Sequence, residues 1–166
     1  MYWNDNMFFG DVSSYSSALK RAVIAYEGKK DKQGMPYVIH LINVLENLLY
    51  VPICLSPEEF LTASIVGVFH DIVEDGLSTF EELSEEYSED VIKSLRLVTR
   101  DSDKTYAEYI DAIYDSSNAV AIAVKWADLQ DNLSKCSGKA EFESLEERYK
   151  KALEKIEDAM YRIQEM

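Results

Sequence analysis

Cysteine is almost missing from this chain: Cys54 and Cys136 are the only two in 166 residues. Two distant thiols are too few for a disulfide scaffold or a zinc finger, and they point to a reduced, cytoplasmic setting with both as inert small residues. Histidine is equally scarce, with only His40 and His70. Basic residues are outnumbered, 17 Lys and Arg against 31 Asp and Glu, for a net charge of −14. Phosphate neutralisation needs net positive surface, so a nucleic-acid polymer is excluded as partner. A small anionic substrate would need a local basic pocket. No apolar run approaches the roughly 18 residues of a membrane span; the stretch 119–124 is among the longest. The start, Met1-Tyr2-Trp3-Asn4-Asp5, lacks the basic and apolar regions of a signal peptide.

With six glycines and three prolines, the runs between breakers are long and have helical periodicity. The expectation is an all-α helical bundle, a single domain over 1–166. Helices are predicted at about 13–27, 37–50, 57–74, 89–99, 105–115, 119–135 and 141–165, with a short acidic helix ending near Tyr87. Ala18, Leu19, Ala22, Val23 and Tyr26 should form one face of the first. Ser56-Pro57-Glu58-Glu59 reads as a capping box with proline at the first helical position. Ser78-Thr79-Phe80-Glu81 reads as a second box. The helix at 57–74 is apolar almost all round and should be central. The aromatic N-terminus (Tyr2, Trp3, Phe8, Phe9) suggests core packing or a subunit contact, which leaves a homo-oligomer open.

Polar chemistry sits where apolar helices should not carry it. The segment 66–75 ends in His70-Asp71-Ile72-Val73-Glu74-Asp75, and buried charge without a partner costs several kcal/mol. His70 and Glu74, like Asp71 and Asp75, are four apart and would form two adjacent ridges on a continuous helix. The plainer reading is a helix end drifting into solvent, but acids at a helix C-terminus oppose the macrodipole. His40 lies one turn into another apolar helix, either as a hydrogen-bonded core residue or as a ligand. A third apolar run, 119–124, leads into Lys125, Asp128, Asp131 and Asn132, either an exposed face or a source of a metal carboxylate.

Together, His40, His70, Asp71 and Asp128 would suit a six-coordinate divalent ion, with Mn²⁺, Fe²⁺ or Mg²⁺ more natural than a closed structural zinc. Open positions would admit water and a substrate oxygen, and the ion would activate that water. Glu74 and Asp75 are the candidate catalytic acid/base and water-orienting groups. Of the basic residues, Lys29, Lys30 and Lys32 crowd the first loop and Arg100, Lys104 and Lys125 flank the expected cleft as candidate phosphate groups, with Lys29 and Lys30 reading as solvated loop charge. Tyr106 is open between core and pocket, Tyr109 should pack, and the acidic run 81–90 reads as a solvated face.

The pattern His40 … His70-Asp71 … Asp128 resembles the HD-domain metal-dependent phosphohydrolases. The finer resemblance is to the hydrolase half of RelA/SpoT proteins and their stand-alone relatives. It is carried by Lys32-Gln33-Gly34-Met35-Pro36-Tyr37-Val38-Ile39-His40, Phe69-His70-Asp71-Ile72-Val73-Glu74-Asp75, Thr79-Phe80-Glu81-Glu82-Leu83, Val98-Thr99-Arg100 and Val124-Lys125-Trp126-Ala127-Asp128, across about 18–135. The resemblance implies removal of the 3′-pyrophosphate from (p)ppGpp, with Mn²⁺ first among the metals and Fe²⁺, Mg²⁺ and Zn²⁺ as alternatives. It implies functional roles for Lys32, Arg100 and Lys125, with Lys125 and Asn132 as phosphate contacts or supports beside the metal ligands; Tyr106 is a further candidate substrate contact. Family members usually carry an Arg-Lys pair in the first loop, the arginine stacking on guanine; this chain has Asp31-Lys32 there. They also tend to carry a basic residue after the aspartate that matches Asp128, where this chain has Leu129. The alternatives are a phosphatase for another nucleotide and a nucleotide-binding HD module without turnover.

Overall fold

Residue types that cap and punctuate helices set most of the boundaries. In the computed structural model, which describes the backbone of residues 5–165 and the side chains of 13–165, eight α-helices follow one another: α1 (Asp5–Ala25), α2 (Tyr37–Leu48), α3 (Pro57–Phe69), α4 (Phe80–Ser84), α5 (Glu89–Val98), α6 (Tyr106–Asp115), α7 (Ala119–Cys136) and α8 (Glu143–Gln164), the last preceded by a 3-10 turn at Ala140–Phe142. The expected all-helical single domain is met. The aromatic side chains Tyr2, Trp3, Phe8 and Phe9 lie outside the described residues.

Local signals explain most starts. Ser56 accepts from the Glu59 amide and the Glu59 side chain returns to the Ser56 amide, with Pro57 opening the helix. Thr105 and Glu108 repeat the device on α6, and Asn118 caps α7. For α4 the box is one residue later than expected: Thr79 pairs with Glu82. Ser78 is instead buried, accepting from Arg21 and donating to Glu82. The first helix begins at Asp5 rather than residue 13. Its Val23 is 44% exposed, because only Ala18, Ala22 and Tyr26 of the expected face reach full burial.

α7 is the structural axis, packed against α2, α3, α5, α6 and α8. α3 lies beside it, buried continuously from Ala63 to Phe69. Gly67 is what lets α3 approach α2 so closely: a Cβ there would sit 3.3 Å from Leu48 Cδ1. The largest departure from expectation is at the end of α3. The helix stops at Phe69, not at residue 74, and His70–Gly76 is a chain of turns held by Ile72 N–H to Phe69 O, Asp75 N–H to Asp71 O and Leu77 N–H to Ile72 O. Gly76 (φ 68°) then takes the left-handed conformation that turns the chain toward α4. The continuous-helix ridges expected for His70/Glu74 and Asp71/Asp75 therefore do not form. Among the described residues no helix is long and apolar enough to cross a membrane.

Candidate metal centre

Three mutually packed elements deliver the polar residues to one point. His40 is on the first turn of α2, His70 is the residue capping α3, Asp71 follows in the turns, and Asp128 is in mid-α7. His40 and His70 are each 3% exposed and Asp128 5%. Asp71 keeps 31% of its side chain open toward the cleft. Ligand-type atoms of His40, His70 and Asp71 all lie within 4.8 Å of one another. The two Nε2 atoms are 3.1 Å apart, and Asp71 Oδ2 is 3.2 Å from His70 Nε2. Asp128 Oδ1 approaches His40 Nε2 at 3.4 Å and His70 Nε2 at 3.7 Å.

The other ring nitrogens decide what those atoms are. His70 Nδ1 is 2.8 Å from the Gly67 carbonyl, and His40 Nδ1 is 2.5 Å from Asp131 Oδ2. Both partners are acceptors, so both Nδ1 atoms carry hydrogen and donate. Each neutral ring then presents a bare Nε2 lone pair to the other at 3.1 Å, with two carboxylates alongside. Such an arrangement is repulsive until a positive charge enters it, and two imidazoles with two carboxylates are a donor set a divalent ion accepts.

The titration of the residues says the same. Burial works against a charged His70, but the Asp71 carboxylate beside it prevails and takes the imidazole up to about 9. His40 is also raised: burial opposes its charge, and hydrogen bonds to Asp128 and Asp131 outweigh that. Burial likewise opposes ionisation of Asp71 and Asp128, yet both are held below the ordinary carboxylate range, Asp71 chiefly by His70 and Asp128 chiefly by Lys125. The pocket thus takes protons where a metal ion would sit.

Above this floor opens a cleft of about 400 Å³, of a size that suits a small ligand. Lys29, Lys30, Lys32, Arg100, Lys125, Lys135 and Arg148 line it, seven of the chain's 17 basic residues. Lys32 is exposed at the mouth. Arg100 and Glu74 face each other there, Nη2 to Oε1 3.6 Å, and the Arg100 amide donates to Glu74 Oε2 at 3.3 Å. Asp75 is ion-paired with Lys29. Lys29 is therefore not free loop charge: its ammonium also lies over Tyr26 and Tyr37, 5.4 and 5.1 Å from the ring centroids.

Lys125 and Asn132 line the cleft but turn toward Asp128. Lys125 Nζ donates to Oδ2 at 2.8 Å and Asn132 Nδ2 to Oδ1 at 2.5 Å. Tyr109 packs as expected, its hydroxyl donating to the Val98 carbonyl. Tyr106 borders the cleft, and its buried hydroxyl has no hydrogen-bond partner among the described residues. The acidic run 81–90 is exposed apart from Leu83 and Tyr87. Cys136 is buried and Cys54 exposed, both free thiols.

Sequence reading missed three contributors. Tyr37 donates its hydroxyl to Asp71 Oδ2. Asp131, seen only as part of a ridge, holds His40. Arg148 closes the far wall from α8, its guanidinium 4.7 Å from the Tyr106 ring centroid. The first two have a sequence signal, since a tyrosine three residues before His40 and an aspartate three after Asp128 share a helix face with it. Arg148 has none, being one of many charges on a polar helix.

No protein-family model matches the chain. The guanosine-3′,5′-bis(diphosphate) 3′-pyrophosphohydrolase MESH1 of Drosophila melanogaster is 35% identical over 108 residues, covering 63% of this chain and 58% of that protein. The chain thus spans less than two thirds of that relative's length. A solved structure described as a metazoan ortholog of SpoT that hydrolyzes ppGpp and plays a role in starvation responses matches with a TM-score of 0.68 at 25% identity, over 89% of this chain and 85% of that one. The chain is a homologue of MESH1 with the same all-helical fold, as the resemblance implied.

Proposed function

We propose that this protein is a metal-dependent phosphohydrolase acting on a nucleotide, with the 3′-pyrophosphate of (p)ppGpp as its leading substrate. The observation that carries the reading is the pair of facing Nε2 atoms at 3.1 Å, flanked by Asp71 and Asp128. His40, His70, Asp71 and Asp128 would hold the ion, Mn²⁺ first, with Fe²⁺, Mg²⁺ and Zn²⁺ as alternatives. Once bound, a divalent ion lowers the pKa of water and polarises a phosphoryl oxygen.

The remaining chemistry belongs to the chain. Tyr37 keeps Asp71 in place, and Lys125 with Asn132 keeps Asp128 in place. Lys32 and Arg100 at the mouth attract the phosphates against a global charge of −14. Arriving phosphate competes with Glu74 for Arg100 and with Asp75 for Lys29. A carboxylate freed in this way accepts the proton of the attacking water, Glu74 as base and Asp75 as the group that orients it. Tyr106 offers the substrate an unused hydroxyl from the cleft wall. The free thiols Cys54 and Cys136 agree with a cytoplasmic setting.

A second reading, hydrolysis of a different nucleotide, is favoured by one observation. Asp31, where the resemblance calls for a base-stacking arginine, is engaged by the amides of Gln33 and Met35 at 2.9 Å and by Lys135 at 3.4 Å. That position offers a base nothing to stack on. The test is to reload metal-free protein with Mn²⁺, Mg²⁺, Fe²⁺ or Zn²⁺ and assay phosphate and pyrophosphate release from ppGpp and common nucleotides. Pyrophosphate from ppGpp is the expected result. Monophosphate release from another nucleotide selects the second reading, and silence with metal bound rejects both in favour of a binding module.

A further inference from the structure

We infer that Asp131 is the positioning residue of the metal centre: it fixes which nitrogen of His40 carries the ring hydrogen and so aims Nε2 at the ion. The inference rests on the metal-site reading above and assigns a role to a side chain outside the ligand set.

Asp131 is 3% exposed, and both its oxygens are occupied. Oδ2 takes His40 Nδ1 at 2.5 Å and Lys135 Nζ at 2.6 Å, while Oδ1 accepts from Asn43 Nδ2 at 2.7 Å. Three donors from α2 and α7 thus leave the carboxylate a single orientation. A carboxylate so placed can only accept from the ring, and an imidazole bound this way is a better oriented and more basic ligand. His70 gets the same service from the Gly67 carbonyl, a backbone atom that side-chain substitution does not remove. His40 depends on a side chain.

Lys135 carries the link onward. Its ammonium faces Asp31 at 3.4 Å, and its carbonyl accepts from Gln33 Nε2 at 2.8 Å. The first loop, which carries Lys32, is therefore moored to the same residue that compensates the Asp131 charge. This gives Asp31 a structural task.

Asp131→Asn separates positioning from packing. It removes the charge and one of the two accepting oxygens, so His40 Nδ1 and Lys135 on Oδ2 and Asn43 on Oδ1 can no longer all be held, and the His40 ring loses its fixed tautomer and aim. Mn²⁺ titrated into metal-free protein should bind the variant about 10–100-fold more weakly than wild type. Equal affinity within twofold overturns the inference and leaves the metal site standing. Wild type that takes up no Mn²⁺ overturns both. Should the variant not fold, ¹⁵N-histidine spectra of Zn²⁺-loaded wild type decide: His40 protonated at Nδ1 and metal-shifted at Nε2 is expected, and the reverse pattern overturns the inference.

Discussion

At the floor of the cleft, His40, His70 and Asp128 are at most 5% exposed and every ring nitrogen and carboxylate has a designated neighbour, whereas at the mouth Lys32, Glu74, Asp75 and Arg100 are exposed to solvent. The floor is assembled from packed elements, α2, α7 and the end of α3. The mouth is assembled from loops and turns, residues 28–36, 70–76 and the segment after α5. A buried polar group that loses its partner costs about 1–3 kcal/mol, so the mutually paired groups of the floor are held to one geometry. Exposed ion pairs are weak and exchangeable, so on the proposed function Glu74–Arg100 and Asp75–Lys29 would yield to a phosphate with little loss. One region holds, and the other trades partners.

The comparison is broken hardest at the floor. Asp71→Asn or Asp128→Asn should abolish both Mn²⁺ uptake and turnover, read by calorimetry and by phosphate release. Glu74→Gln should keep the metal, with turnover falling by about 10²–10⁴; full turnover would remove Glu74 from the chemistry. Lys125→Met leaves Asp128 buried beside an apolar chain, and loss of one partner of a buried pair costs about 3 kcal/mol or more in denaturant unfolding. At the mouth, Lys32→Ala should raise KM by about 2–5-fold, the scale of one exposed charge, and leave the unfolding midpoint in place.

Protonation sharpens the same contrast. The His70 value is raised from 6.5 to about 9, so the proton it gains stabilises the metal-free fold. That contribution is complete below about pH 6.5 and is lost as pH rises through about 9. Melting of metal-free protein should therefore decline across this window while affinity for Mn²⁺ rises, because metal and proton compete for the same ring.

Floor and mouth also differed in how well the sequence revealed them. His40, His70, Asp71 and Asp128 stood out because apolar helices bury charge only for a reason. Their convergence was legible, while the helix assumed to display His70–Asp75 was not: it ends at Phe69, and turns place Glu74 and Asp75. Nothing in local periodicity marks that end, since residues 66–73 remain apolar at most positions. Lys29 was misread for the opposite reason, since a lysine beside a glycine looks solvated until Tyr26, Tyr37 and Asp75 surround it. Lys125 and Asn132 were found, but their attachment to Asp128 depends on a neighbour that spacing alone does not fix. The caps lie within a few residues of the helices they start, so Ser56 was read correctly and the α4 box missed by only one residue, which made the fold easier to read than the site.

The central claim is that two imidazoles, each donating from Nδ1, face one another across a place that requires a cation. Calorimetric titration of metal-free protein with Mn²⁺ at pH 7.5, repeated in buffers of different ionisation enthalpy, measures uptake and proton release together. The account predicts a single saturable site per chain, with protons released as the ion displaces them from His70 and His40. Absence of binding, or binding with no proton release, would contradict it.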